Sequence, residues 1–318
     1  MATVEPLAEE HAERDGKRSK WPQVLVPLGI AVYFFAAWYF GWDKVRAALL
    51  GADPRLVAAA GAVSLAANCV RILKWRLALG AHAHPVGLFF LSRATGVWSP
   101  GRIGEFLPLL WRRHRSARVG GWILLDRVLE IVTALALGVI GLGFTSFLST
   151  PIYIALVVAT TAACVGALVC LTQHRWMDAV ARRLAAGTRL RLVADTLTRT
   201  SIEIHTLRRQ TPVLLAITLA AKAADLFAVV LIFRALGVSV GFMLTAASKC
   251  ALAIVSFVPI TPMATGVPHA VQGWMMNAEA GVAPETVVAS VGIEAGLMLI
   301  IFTLSVMIAS RAIKRAVL

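Results

Sequence analysis

In Ser99-Pro100-Gly101-Arg102-Ile103-Gly104-Glu105-Phe106 an arginine and a glutamate stand three residues apart just past a Pro-Gly break, and Arg93 lies nine residues before Arg102. Backbone amides freed at a half-helix N-terminus, together with a guanidinium, form an anion site. Phosphate is the anion to expect in a membrane. Arg102 and Arg93 would hold it, Arg102 bidentately, while Glu105 would accept from a sugar, an amine or Arg102 itself. The Gly-Arg-Ile-Gly run is too loose for a nucleotide loop, and no strand precedes it.

The elements around these residues are short. Leu88 to Trp98 enters the break and Ile103 to Trp111 leaves it, each limb well under the roughly 20 residues needed to span a bilayer core as helix. Irregular backbone and ionisable groups persist at membrane depth only where protein or a water-filled cavity surrounds them. The reading is a re-entrant hairpin, about 86–115, lining a polar site. A second broken stretch, 242–280, runs from Phe242 through Val258-Pro259-Ile260-Thr261-Pro262 and Gly266-Val267-Pro268, then along His269 to Asn277. Its longer limbs also suit a full helical pair.

Of the 318 residues 58% are hydrophobic and 15% charged, with a mean hydropathy of +0.77, which excludes an ordinary soluble domain. Six stretches are long and apolar enough to span: about 22–42, 55–79, 121–147, 151–172, 212–236 and 285–309. With the N-terminus inside, 23 of the 31 Lys and Arg fall in inner segments, as the positive-inside rule requires, so both termini are expected in the cytoplasm. The outer segments keep Lys44, Arg46, Arg55 and Lys249. The basic residues face the anionic inner leaflet, which accounts for the net charge of +14 without nucleic acid. Residues 1–20 read as a disordered cytoplasmic tail, 21–310 as one membrane domain with a basic cytoplasmic segment at 173–210, and 311–318 as a second cytoplasmic tail. Cys69, Cys164, Cys170 and Cys250 read as packed, reduced thiols. Trp21, Trp38, Trp42, Trp98, Trp111, Trp122 and Trp176 fall near span or hairpin ends, as interfacial anchors do.

Arg76 to Gly80, a broken hairpin and a long helix are echoed by Arg234 to Gly237, a second broken hairpin and the last helix. The helices leading into these units take opposite orientations, the order of an inverted repeat with a midplane site.

Ionisable residues within spans require a reason, at about 2.5–3.5 kcal/mol each on insertion scales. Asn68, Arg71 and Trp75 share a face of the second span; Arg127 and Glu130 are spaced i, i+3, as are Lys222 and Asp225. Glu294 has no partner within its own helix. Arg127 and Glu130 join the headgroup site; Asn68, Arg71, Asp225, Glu294 and His269 are candidates for coupling or gating. No metal site is assigned to His82 and His84, and no HExxH, GxSxG or nucleotide-binding pattern occurs. No cofactor is expected.

At SPGRIGEF followed by LDRVLEIVTALALG, and again at VPITPMATGVPHAV followed by AGVAPETVVASVGIEAG, the chain resembles the flippase-like membrane domain of lysylphosphatidylglycerol synthases, which also occurs in stand-alone membrane proteins, some associated with hopanoid lipids. The resemblance spans most of 22–310. It implies movement or binding of lipids, including aminoacylated phosphatidylglycerol and isoprenoid-linked lipids, and carries over Pro100, Gly101, Arg102, Gly104, Glu105 and Arg127. The pattern departs near Pro108, where the family has an arginine, and in the second hairpin, where Met263 and Ala264 replace glycines and His269 stands near an acid's position. The soluble aminoacyl-transferring domain is not expected, so lysine transfer is not assigned.

The expectation is an all-α polytopic protein of the bacterial cytoplasmic membrane, with six spanning helices, two re-entrant hairpins and an inverted repeat. Its expected function is that of a lipid flippase or lipid-binding transporter for a phosphate-bearing headgroup, rather than an enzyme. Two alternatives stay open: a headgroup-modifying enzyme with Glu105 or Glu130 as general base, and a non-transporting partner of a lipid-synthesis enzyme, docked through 173–210.

Overall fold

In a computed structural model of the chain, the described residues are 34–35, 37–80, 85–97, 105, 117–173, 202–256 and 267–317, with Ala179, Arg183, Thr198 and Thr200. These regions are helices joined by turns. The helices are α1 (Trp42–Leu50), α2 (Pro54–Leu79), α3 (Pro85–Val97), α4 (Ala117–Leu142), α5 (Thr150–Thr172), α6 (Thr211–Ala235), α7 (Phe242–Ser256), α8 (Val267–Ala280) and α9 (Pro284–Val317). Four helices among the described residues are long and apolar enough to cross a membrane: α2, α5, α6 with the turn before it, and α9 over Pro284–Ile301. Helix α4 has the length, 26 residues, but carries Asp126, Arg127 and Glu130 near its middle. Much of the expected span at 22–42 lies outside the described residues. Lys44 and Arg46, expected in a loop, sit on α1, which packs through Val45 against Val288 and Ala289 of α9.

Both ends of α2 are written in its sequence. The Asp53 carboxylate accepts from the Arg55 amide at 2.8 Å, Pro54 fills a first-turn position, and Gly80 ends the helix at φ 72°, a backbone conformation that glycine adopts without strain. Helix α6 closes likewise, with Gly237 at φ 78°. The two helices run antiparallel: the Asp53 amide donates to the Ala235 carbonyl, while Lys74 near the end of α2 reaches Thr218 near the start of α6. Small buried residues at seven-residue spacing, Ala60 and Ala67 on α2 and Ala221, Ala228 and Ala235 on α6, let the backbones approach. In an apolar solvent this packing, rather than hydrophobic burial, drives association.

Helices α3, α7 and α8 have 13, 15 and 14 residues. At 1.5 Å per residue these described stretches are about 20–22 Å long. Helix α3 packs against α9, and α7 against α4. The α4–α7 contact is the tighter. A Cβ at Gly138 would fall on Cys250, and one at Gly141 would run into the Met243 carbonyl and lie 2.7 Å from the Ala247 nitrogen.

Around an apolar core the outer surface is apolar as well, and several charges are buried. No described side chain of α5 is buried, and Ile152, Ile154, Val158 and Val165 stand exposed, whereas Arg71, Lys74, Glu105 and Asp126 are buried. Two expectations change. Trp122 is fully buried rather than an interfacial anchor, because α4 begins four residues earlier than the apolar run and carries it a turn inside, edge-on to Trp75. All four cysteines are free, but only Cys250 is buried; Cys69 and Cys170 lie on outward helix faces.

Gly141→Ala should destabilise the protein by about 1–3 kcal/mol, because backbone must move to admit the methyl. Gly166→Ala on α5, with open space around its Cα, should be neutral or slightly stabilising. Thermal unfolding in detergent, followed by tryptophan fluorescence, separates the two.

Candidate functional site

Arg71, Lys74, Trp75 and Ala78 follow one another at i, i+3, i+4 and i+7 on the inner face of α2, and Trp122, Asp126 and Glu130 mark successive turns of α4. Where these faces meet α3 and α6, four cations and four carboxylates among the described residues come together. Lys74 pairs with Asp126 and donates to Thr218 Oγ1 at 3.0 Å. The Thr218 hydroxyl gives its own proton to the Leu214 carbonyl at 2.7 Å, so it is poised to accept. Trp75 Nε1 donates to the second Asp126 oxygen at 3.3 Å, and the Lys74 ammonium stands 5.8 Å over the Trp122 ring.

Arg71 grips Asp225 of α6 with both terminal nitrogens, and its Nε lies 3.8 Å from Glu130 Oε1. The same Glu130 oxygen accepts from Arg93 of α3 at 3.3 Å, while its other oxygen accepts from Arg127 at 2.9 Å. Arg127 in turn pairs with Glu105. The backbone carbonyl of Glu105 accepts from the Ser92 hydroxyl at 3.0 Å, so residue 105 lies beside α3. Arg71, Lys74, Arg93 and Arg127 therefore balance Glu105, Asp126, Glu130 and Asp225, and each of the eight has an ion contact.

Exposure divides the cluster in two. The Lys74 and Asp126 side chains are 1% and 6% exposed, sealed among Trp75, Trp122 and the apolar residues of α2 and α4. Arg93 and Arg127 are 19% and 17% exposed, and Asp225 36%. The sealed pair fixes helix register. The part-open arginines can trade a carboxylate for another anion without leaving a guanidinium bare, since Arg binds phosphate and carboxylate through the same planar fork.

Of the residues expected at the headgroup site, the structure brings together Arg93, Glu105, Arg127 and Glu130; Pro100, Gly101, Arg102 and Gly104 lie outside the described residues. Of the coupling candidates, Arg71 and Asp225 join the same cluster. Asp225, which helical spacing offers to Lys222, is held across helices by Arg71. Asn68 instead caps the Ser64 carbonyl of its own helix at 2.9 Å. Glu294 finds its partner on another helix: Lys249 of α7, 2.6 Å away, which the topology count assigns to an outer segment. His269 is half-buried on α8. Lys74 escapes the sequence reading because it lies near the end of the expected span 55–79, where a lysine ordinarily reaches the interface. Its place one turn after Arg71, on the face shared with Trp75, is the signal that would have found it.

A family model described as the lysylphosphatidylglycerol synthase TM region matches residues 25–305. No curated protein and no solved structure matches the chain.

Lys74→Met leaves Asp126 buried without its ammonium and should destabilise the protein by about 3–5 kcal/mol, whereas adding Asp126→Leu should recover most of that loss, because an apolar pair of similar volume replaces a buried ion pair at little cost. Thermal unfolding of the single and double variants in detergent measures both steps.

Proposed function

Since this chain belongs to the family of lysylphosphatidylglycerol synthase transmembrane regions and is a multi-pass membrane protein, we propose that it moves a phosphate-bearing lipid across the bacterial cytoplasmic membrane. The observation that carries this reading is the part-open end of the ion cluster, where Arg93 and Arg127 share Glu130 inside a bundle whose outer surface is apolar. A phosphate entering there takes guanidiniums already held in place by carboxylates, while its acyl chains stay in the bilayer. Arg102, just past the Pro100-Gly101 break, is assigned to the same headgroup, and Glu105 orients Arg127.

The architecture that goes with this function has six spans, two re-entrant hairpins and both termini in the cytoplasm. An inverted repeat is supported by three features: α2 and α6 lie antiparallel, both end at a glycine with positive φ, and α3 packs against α9 as α7 does against α4. Rocking of one unit against the other then alternates access to the cluster. The Lys249–Glu294 pair and His269, on the second unit, are assigned to coupling.

Reconstitution in liposomes tests the reading, using phosphatidylglycerol labelled with a nitrobenzoxadiazole fluorophore and quenching of the outer leaflet by dithionite. Arg93→Ala and Arg102→Ala should each slow lipid movement about tenfold or more, the loss expected for a charge-assisted hydrogen bond, with the folded protein retained. Movement at the wild-type rate in both variants would sink the headgroup site.

A further inference from the structure

Arg71 occupies a different position from the other cations in the cluster. It touches two carboxylates that belong to different parts of the molecule. Glu130 lies on α4 among the headgroup arginines, and Asp225 lies on α6, the helix that leads into the second half of the chain. With Asp225 it makes a two-pronged ion pair; with Glu130 it makes a looser contact through Nε at 3.8 Å. We propose that Arg71 is a positioning residue that exchanges Asp225 for Glu130 when a phosphate-bearing headgroup binds, so that occupation of the site loosens the ion contact between α2 and α6.

The exposures of the two carboxylates set the direction of the exchange. Glu130 is 11% exposed and accepts from Arg93 and Arg127. A phosphate that engages those guanidiniums weakens both hydrogen bonds, and a carboxylate at that depth cannot turn to bulk water for replacement. Arg71 is the cation of α2 already beside it. Asp225 is the more exposed partner, so its release is the less costly side of the exchange. Lys222, one helical turn before Asp225, stands at the i, i+3 spacing that lets an ion pair form along α6. Headgroup, Glu130, Arg71 and Asp225 thus form a chain of competing ion pairs that runs from α3 through α4 and α2 to α6. A ligand shifts such an equilibrium only by its differential affinity for the two arrangements. The preference for the exchanged one arises at Glu130.

The inference rests on the headgroup site proposed above, and its test separates the two. Neutralising either member of a purely structural salt bridge should weaken ligand binding in the same direction or not at all. In the exchange scheme the two members oppose each other. Asp225→Asn removes the competitor for Arg71 and should tighten binding of the fluorescent phosphatidylglycerol about fivefold; Arg71→Gln removes the fallback partner of Glu130 and should weaken it about tenfold, both within the usual range of coupling between sites. The Arg71→Gln/Asp225→Asn double variant should behave as Arg71→Gln alone.

Titration of the labelled lipid into purified full-length protein in nonionic detergent reads all three, with Arg93→Ala as the reference for the site. Loss of binding in Arg93→Ala with shifts of one sign, or none, in the other two would overturn the exchange while leaving the site. Unchanged binding in Arg93→Ala would overturn the site itself. The same titration with inorganic phosphate identifies what is read: opposite shifts with free phosphate but not with the lipid would assign the exchange to a soluble anion and overturn its place in lipid handling.

Discussion

Charge neutrality in a medium that cannot solvate ions is the constraint from which this fold follows. Among the described residues, four cations and four carboxylates cluster between helices of a bundle with an apolar exterior, so each must lie against an opposite charge. That requirement fixes how α2 is rotated, because Arg71, Lys74 and Trp75 all need partners on other helices. It fixes the register of α4, whose Asp126 and Glu130 answer charges from α2 and α3. It also holds Glu105 against Arg127 of α4. Mispacking by one turn would leave several buried charges unmatched at once, so the ion pairs select one arrangement from many that are equally apolar.

Small residues make that arrangement physically accessible. Ala60, Ala67, Ala221 and Ala228 bring α2 close to α6, and Gly138 with Gly141 brings α4 onto α7. Arg71 reaches Asp225 only because the α2 and α6 backbones are near. Packing and electrostatics therefore cooperate across each interface, one through short side chains and the other through long ones.

Much of this could be read from the sequence, but in an uneven way. The ionisable residues of apolar segments, Arg71, Arg93, Glu105, Arg127, Glu130 and Asp225, were all identifiable, since each violates the composition around it. The Arg127–Glu130 pair was readable too, because helical periodicity states which neighbours share a face. Partners between helices were not. Arg71 with Asp225, and Lys249 with Glu294, depend on crossing geometry and relative register, which no single-helix pattern contains. Lys74 was obscured by its position near a span end, where a lysine ordinarily extends towards the interface. Trp122 was misplaced because hydropathy marks where apolar residues begin, whereas α4 begins earlier, at Ala117.

The separation of the cluster's members along the chain bears on how the protein is made. Arg71 precedes Asp225 by 154 residues, which at a synthesis rate of about 5–20 residues per second is a delay of roughly 8–30 s. For that interval the arginine is present before the aspartate that will hold it has been translated. Glu130 emerges earlier than Asp225 and already stands within ionic range of Arg71 in the finished fold. The carboxylate shared by three arginines is thus suited to serve the nascent chain as a provisional counterion, keeping the half-made bundle insertable until its last electrostatic partner arrives.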